Sequence, residues 1–228
     1  MNELLFLITI LFNFIGILLF FRFWGKIGLF SWIAFAGIIA NIEVVKCVDL
    51  FGLSLTLGNV MYGTVFLATD LLSELYGGKT ARKAVLLGFS AILVFTVMSQ
   101  ITLLYVPNSN DFASGAMKTV FSLVPRITIA SVITYLISNT LDTYLYDAIR
   151  KRFPANKFLW LRNNGSTLTS QLLDSFVFTF LAFYGVFSVS TLIELSLTTY
   201  AIKIIIALCD TPFLYLAKRI GVKQYAKE

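Results

Sequence analysis

Seven long apolar runs, separated by short polar segments, dominate the hydrophobic pattern of this 228-residue chain. Each run is close to or above the roughly 20 residues that an α-helix needs to cross a hydrocarbon core about 30 Å thick. The pattern therefore predicts an all-α protein, a polytopic transmembrane helix bundle with seven spans. The predicted spans are Leu4–Phe21, Leu29–Val48, Leu57–Tyr76, Ala84–Tyr105, Arg126–Ile149, Thr167–Val189 and Leu192–Ala217.

Short connections between the runs predict a single transmembrane domain. The longest connections are 106–125 and 150–166. The first run lacks a small-residue cleavage site and is followed by a charged loop, so we expect a retained helix rather than a cleaved signal peptide. The predicted parts are an N-terminal helix and loop (1–28), a six-helix core (29–217) and a tail (218–228).

The amino-acid composition agrees with a membrane protein. Hydrophobic residues make up 58% of the chain and charged residues only 13%, with a mean hydropathy of +0.84. A soluble domain carries about 25% charged residues. The composition therefore disfavours a soluble enzyme. It also disfavours a nucleic-acid-binding protein, although the net charge is +6.

The basic residues are concentrated in the loops on one side of the predicted bundle. Fourteen of the 18 lysines and arginines fall in one set of alternating loops, whereas Lys118 is the single one in the other set. The positive-inside rule then places the N-terminus outside and the C-terminus in the cytoplasm, in the plasma (inner) membrane. The fourteen are Arg22, Lys26, Lys79, Arg82, Lys83, Arg150, Lys151, Arg152, Lys157, Arg162, Lys218, Arg219, Lys223 and Lys227.

The residue types needed for most catalytic chemistry are scarce. The chain has no histidine, and Cys47 and Cys209 lie far apart in apolar surroundings, so no metal centre or cofactor is predicted. The sequence Gly78-Lys79-Thr80 lacks the earlier glycine of a phosphate-binding P-loop. We therefore predict that the protein is not an enzyme. An intramembrane lipid transferase or a regulatory subunit remains as the rival class.

Acidic residues inside the predicted spans are the strongest functional signal. Each costs about 2.5–3.5 kcal/mol at the bilayer centre, so such residues face a cavity, a partner or a pathway. Asp70 and Glu74 share one helical face, as do Gln171 and Asp174. We therefore predict that several helices direct polar side chains into a shared hollow. The six acids are Glu43, Asp70, Glu74, Asp142, Asp174 and Asp210.

Structural interpretations of the same residues remain open. Glu43 and Lys46 are three residues apart and could form an intrahelical ion pair. Asp174 with Lys203 could be an ion pair that only fixes helix packing, and Arg126 could extend toward the interface.

Two local patterns predict helix packing and a helix start. Ala36 and Ala40 form a small-x-x-x-small step, which favours close helix packing and leaves open a docking face for a partner helix. Asn163–Ser166 is predicted to be a loop in which Ser166 caps the sixth span.

Several strings in the chain resemble the queuosine precursor transporter family, also described as a vitamin-uptake-like family, over residues 29–217. The most specific is Thr-Asp-x-x-x-Glu-x-Tyr-Gly, which begins at Thr69. The other matching positions are Asn41-Ile-Glu-Val-Val-Lys46, Pro125-Arg126, Leu141-Asp142, Ser166-Thr167 followed by Asp174, and Lys203.

The resemblance implies a six-helix core similar to the substrate-binding subunits of energy-coupling-factor transporters. It implies import of 7-deazaguanine bases or queuine, for tRNA modification salvage. The N-terminal helix is an addition to that six-helix pattern. The implied partners are a purine-like base and the lipid bilayer, without nucleic acid. A homo-oligomer and an energising ATPase subunit both remain open, as does the energy source.

The candidate substrate-binding residues follow from these matches and from helical facing. A deazaguanine presents two donors that a carboxylate can accept, and a carbonyl that needs a donor. For the donor edge the candidates are Asp70 or Glu74, helped by Asp142 or Asp174. For the carbonyl they are Asn41, Lys46 and Arg126. The complete predicted set is Asn41, Lys46, Asp70, Glu74, Arg126, Asn139, Asp142, Gln171, Asp174 and Lys203.

Overall fold

The computed structural model describes residues 1–153 and 159–225, which are mostly helical. The elements are α1 (Asn2–Glu43), β1 (Cys47–Leu50), β2 (Leu53–Thr56), α2 (Asn59–Tyr76), α3 (Gly78–Leu104), α4 (Ser114–Phe121), α5 (Val124–Arg152), α6 (Leu159–Phe183) and α7 (Val189–Tyr225). The predicted helical character of the chain is thereby confirmed.

Four helical segments in the described part of the chain are long and apolar enough to cross a membrane. In addition, Leu168–Phe183 forms a shorter apolar helix. Their low burial within the protein fits side chains that face lipid. The four segments are Asn2–Glu43, Gly78–Leu104, Ser114–Ser138 and Val189–Ile206.

Helix α1 consists of two antiparallel arms, because the backbone leaves helical geometry at Gly25 (φ 55°, ψ −130°). A Cβ atom on Gly16 would lie 2.6 Å from the Trp32 ring, so the first arm packs directly on the second. At the far end, Asn2 Nδ2 donates to the Asp49 carbonyl at 2.9 Å. The two arms correspond to the first two predicted spans.

A small β-hairpin replaces the predicted end of the second span. The prediction of helix up to Val48 was wrong, because α1 ends at Glu43 and β1 pairs with β2 in antiparallel register. The two turn residues, Phe51 and Gly52, have positive φ values of 52° and 78°, as a two-residue type I′ turn requires. Alternating side chains on either side of this turn favour strands over continued helix.

Helix α6 begins well before its predicted start. The prediction that Ser166 caps the helix was wrong, since α6 starts at Leu159 and runs through Ser166. Ser166 is only 1% exposed. Ser166 therefore lies on a buried part of the helix, and the polarity of the segment alone did not distinguish a helix from a loop.

The chain divides into two compact units, one formed by Met1–Pro125 with Ile205–Glu228 and the other by Arg126–Ile204. In the first unit, glycines allow the second arm of α1 to approach α3. A Cβ atom on Gly37 would lie 2.8 Å from Ile92, and one on Gly88 would lie 2.8 Å from Ile33. Because both pairs advance together along the sequence, the second arm of α1 and α3 run parallel.

The small residues of α1 are used within the chain itself. Ala36 and Ala40 are 0% and 7% exposed, and a Cβ atom on Gly58 would lie 2.8 Å from the Ala40 carbonyl oxygen. The prediction of close packing at this step is confirmed. The alternative of a docking face for a partner helix was wrong, because the chain's own residues already cover these alanines.

Candidate functional site

The second unit buries an ion pair between α6 and α7. The Lys203 ammonium donates a hydrogen bond to Asp174 Oδ2, and their side chains are only 10% and 6% exposed. The other carboxylate oxygen, Oδ1, accepts a hydrogen bond from Ser138 Oγ of α5 at 3.0 Å. Three helices therefore meet at one carboxylate. The ion pair between Asp174 and Lys203, which the sequence left open, is present in the structure.

Helices α5 and α6 hold this carboxylate in place as an antiparallel pair. Arg126 near the start of α5 contacts the end of α6, and a Cβ atom on Gly165 near the start of α6 would lie 3.2 Å from Ile149. Ser138 and Asp174 contact each other between these points. The register of the hairpin thus places the serine hydroxyl opposite the carboxylate.

Small hydroxyl residues line the buried faces of the same three helices. Several of their hydroxyls donate to carbonyls one turn earlier, as Ser175 Oγ does to Gln171 at 2.9 Å and Ser196 Oγ to Leu192 at 2.7 Å. The Thr134 carbonyl, 2.8 Å from Ser138 Oγ, is the alternative acceptor to Asp174 for the single hydrogen of that hydroxyl. Small side chains let helices approach closely in a bilayer. The buried hydroxyl residues include Thr134, Ser138, Ser166, Ser170, Ser175, Thr179, Ser196 and Thr199.

Unused hydrogen-bonding capacity surrounds the ion pair. Within the part of the chain that the structure describes, the buried atoms Thr134 Oγ1 and Gln171 Oε1 have no hydrogen-bond partner. Thr134 lies one turn from Ser138, and Gln171 lies three residues from Asp174 on the same face of α6. A buried polar atom without a partner costs about 1–3 kcal/mol. The arrangement therefore suits a polar guest that supplies the missing partners.

Arg126 links the start of α5 to the end of α6. Its Nε donates to the Leu181 carbonyl at 2.8 Å and its Nη2 donates to the Tyr184 carbonyl at 2.6 Å. Both oxygens lie at the C-terminal end of α6, where carbonyls lack helical partners and a cation is favourable. Substrate binding by Arg126 remains a prediction.

In the first unit, Asn41 presents an acceptor. The residue is 5% exposed, its Nδ2 donates to the Gly37 carbonyl at 2.8 Å, and its Oδ1 has no hydrogen-bond partner among the described residues. A flipped amide would place two oxygen atoms against each other, so this orientation is fixed. Asn41 therefore suits a donor on a guest better than the carbonyl to which it was assigned.

The other predicted residues of the first unit are more accessible. Lys46 is exposed in the turn after α1, and Asp70 is exposed on α2. Glu43 is half-buried, and the structure, which describes both side chains, shows no ion pair between Glu43 and Lys46. The alternative of an intrahelical pair was wrong because the helix ends at Glu43.

The remaining predicted residues cannot be placed in the site. The side chains of Glu74, Asn139 and Asp142 lie outside the described residues, as does that of Asp210. The convergence of all these groups on one hollow therefore remains a prediction. Two buried contributors, Thr134 and Ser138, were absent from the predicted set, although their four-residue spacing on the fifth span could have indicated a polar face.

Comparisons with known proteins agree on one family. The model of the family described as "Putative vitamin uptake transporter" matches residues 56–217. No solved structure matches the chain. A Bacillus subtilis protein named "Probable queuosine precursor transporter" is 49% identical over 208 residues, which cover 91% of each chain.

Two further relatives carry related names. The "Queuosine precursor transporter" of Escherichia coli is 28% identical over 173 residues, or 74% of this chain and 75% of the relative. A "Probable queuosine precursor transporter" of Haemophilus influenzae is 31% identical over 136 residues, or 59% and 54%. With matches over most of its length, the chain belongs to the vitamin uptake transporter family, alongside the queuosine precursor transporters.

Proposed function

We propose that this protein imports queuosine precursors, either 7-deazaguanine bases or queuine, across the cell membrane for tRNA modification salvage. The observation that carries the proposal is the 49% identity to the Bacillus subtilis relative along nine-tenths of both chains. The buried Asp174–Lys203 pair supports it, because a charged group kept inside a membrane bundle is typical of a substrate pathway. The proposed activity is transport without chemical conversion of the cargo.

The proposed topology has seven spans, with the N-terminus outside and the C-terminus in the cytoplasm. The reversal at Gly25 supports two crossings by α1. The fourteen basic residues in alternating loops support the orientation. The bundle would lie in the plasma membrane as an N-terminal helix followed by the six-helix core of residues 29–217.

Uptake by cells that cannot make queuosine precursors tests the function. We expect expression of this chain to restore accumulation of labelled 7-aminomethyl-7-deazaguanine, and queuine to compete better than guanine or biotin. Absence of uptake of any precursor would contradict the proposal. The family description favours a vitamin carrier as the second candidate, and competition by biotin alone would support it.

Variants of two predicted carboxylates test the contribution of each to substrate binding. We expect Asp70→Asn and Asp174→Asn each to reduce uptake at equal protein abundance in the membrane. Lys118→Gln is the control, because this lysine lies on α4 near an exposed loop. Wild-type uptake by both aspartate variants would remove these carboxylates from the site.

The two possible energy sources for uptake predict different experimental results. A carrier driven by ions or protons should lose accumulation when the membrane gradients are collapsed. A substrate-binding subunit should co-purify with an ATP-binding protein, as the similarity to energy-coupling-factor subunits implies. A homo-oligomer would instead show one polypeptide at a multiple of the chain mass of 25.5 kDa.

A further inference from the structure

The Asp174 carboxylate has acceptor capacity for two more hydrogen bonds. An ionised carboxylate offers about four acceptor positions on its two oxygens. In the described part of the chain, Ser138 Oγ occupies one position on Oδ1 and the Lys203 ammonium occupies one on Oδ2. Each oxygen therefore keeps an open position, and a guest with two adjacent donors could bind to both without breaking the ion pair.

The Lys203 ammonium is also under-used. An ammonium group has three donors, and among the described residues only Asp174 accepts one from Lys203. At 10% exposure, water cannot freely satisfy the other two donors. A guest that carries a carbonyl beside its donors would take one of them.

Together these open positions form the pattern acceptor, acceptor, donor. The hydrogen-bonding edge of a guanine-type base is its complement, since the amino group and the ring N–H are donors and the 6-oxo group is an acceptor. An adenine-type edge presents a donor beside an acceptor ring nitrogen, which would face a carboxylate oxygen. Electrostatic repulsion then disfavours that base.

We infer that Asp174 and Lys203 act as one recognition element that selects a guanine-type hydrogen-bonding edge over an adenine-type edge. This inference rests on the proposed function. Ser138 is a positioning residue, because its hydroxyl fixes the carboxylate from the side opposite the lysine. Gln171 lies one turn from Asp174 on α6. Its buried Oε1 has no hydrogen-bond partner among the described residues and is available to a further donor on the cargo.

Competition against the wild-type protein tests the selection directly. The probe is uptake of labelled 7-aminomethyl-7-deazaguanine, and the competitors are 7-deazaguanine, 7-deazahypoxanthine and 7-deazaadenine. Loss of one donor leaves a buried acceptor unpaired, which should weaken 7-deazahypoxanthine about 10-fold to 100-fold relative to 7-deazaguanine. We expect 7-deazaadenine to be weaker still. Equal competition by 7-deazaadenine and 7-deazaguanine would overturn the inference.

Variants assign the selection to the pair. We expect Asp174→Asn to abolish most of the preference for 7-deazaguanine over 7-deazahypoxanthine, because an amide offers one acceptor where the carboxylate offers two. Lys203→Met should remove the preference for the 6-oxo base over its 6-thio analogue, a weaker acceptor, and Lys203→Arg should restore it. Lys118→Met is the control that removes a positive charge from the exposed α4.

Three outcomes separate the possible failures. If the wild-type protein takes up no precursor, the proposed function fails. If uptake occurs and the Asp174 and Lys203 variants change only protein abundance, with unchanged competitor ranking, the pair is structural and the inference fails alone. If the wild-type protein takes up the probe but does not distinguish the competitors, the inference also fails. That ranking is measured without any variant, so it does not depend on whether Lys203→Met folds.

Discussion

At the scale of single residues, the buried hydroxyl of Ser138 gives the carboxylate of Asp174 a defined orientation. We predict that Ser138→Ala raises the KM for uptake about tenfold, since hydrogen bonds to charged groups contribute about 1.5–3 kcal/mol. The control is Ser90→Ala on α3, because Ser90 Oγ likewise donates to a carbonyl one turn earlier, that of Leu86, but is exposed. An unchanged KM for Ser138→Ala, measured by initial uptake rates, would contradict the positioning role.

Asp111 makes the stability of the loop before α4 depend on pH. Hydrogen bonds from Ser114 Oγ and from the backbone N–H groups of Ser114 and Ala113 lower the pKa of the Asp111 carboxyl. Its stabilising contribution is therefore present above the pKa of the unfolded chain, about 4, and is lost as the pH falls through the lower folded pKa.

We predict that the first-turn amides of α4 exchange faster with solvent as the pH falls through that range, after correction for intrinsic exchange rates. Hydrogen exchange followed by mass spectrometry measures this change. Asp111→Ala should show the faster exchange at neutral pH already, with little further pH dependence. Identical protection in both proteins at neutral pH would show that the carboxylate does not order this turn.

The sequence predicted the charged residues of the site better than its neutral ones. Asp174 and Lys203 were predictable because an ionisable group in an apolar run is rare and costly. Ser138 was not, since serines in membrane helices usually donate to their own helix, and only the α5–α6 register reveals that the same hydrogen can be donated to Asp174 instead. The orientation of Asn41 likewise depends on a local carbonyl that spacing does not indicate.

At the scale of elements, two glycines shape the reversal of α1 for different reasons. Gly25 has positive φ, and a Cβ atom there would meet only the Tyr76 hydroxyl, at an ordinary 3.8 Å, among the described residues, whereas a Cβ atom on Gly28 would lie 2.1 Å from the Phe20 carbonyl oxygen. We predict that Gly25→Ala destabilises the protein by about 1–3 kcal/mol through backbone strain alone. Gly28→Ala should be more destabilising, because a backbone carbonyl cannot easily move.

Thermal unfolding in detergent measures both effects on the reversal. Gly115→Ala is the control, since this α4 glycine has an ordinary φ and no atom within 4 Å of a built Cβ. We expect that control to leave the Tm unchanged or to raise it slightly, because alanine favours helix. Equal Tm values for the Gly28 and Gly115 variants would mean that the two arms do not approach as closely as described.

The turn between β1 and β2 is strained at one position. Phe51 is 73% exposed and adopts φ 52°, a conformation that asparagine or glycine tolerates better than phenylalanine. We predict that Phe51→Asn raises the free energy of unfolding by up to about 1 kcal/mol. A lower Tm for this variant would indicate that the exposed ring makes a stabilising contact, for example with lipid.

The sequence predicted where helices lie more reliably than where they end. Apolar runs of spanning length are a strong signal, so every predicted span overlaps a helix of the structure. The β-hairpin was missed because its apolar residues continue the preceding run, and only the Phe51-Gly52 pair with alternating neighbours indicates strands. The start of α6 was missed because the polar sequence of residues 163–166 resembles a loop.

At the scale of the whole molecule, Cys47 reports the proposed orientation. We predict that a membrane-impermeant maleimide labels Cys47 on intact cells when Cys209 is replaced by serine. Although the residue is exposed, partial burial and then the Asp49 carboxylate raise the pKa of its thiol. Labelling should therefore be slow at neutral pH and should accelerate as the pH rises or when Asp49 is replaced by asparagine.

Labelling of Cys47 only after the cells are permeabilised would show that the orientation is the reverse of the proposed one. The variant in which both cysteines are replaced by serine controls for background labelling. Protein abundance in the membrane should be equal in all variants.

The hairpin formed by α1 has a consequence for biogenesis. Its two arms satisfy their own backbone hydrogen bonds, and they pack on each other directly where Gly16 approaches Trp32. A nascent chain is thus able to deliver both arms into lipid together, soon after Glu43 leaves the ribosome. The helices translated afterwards would then assemble against an anchor that is already folded.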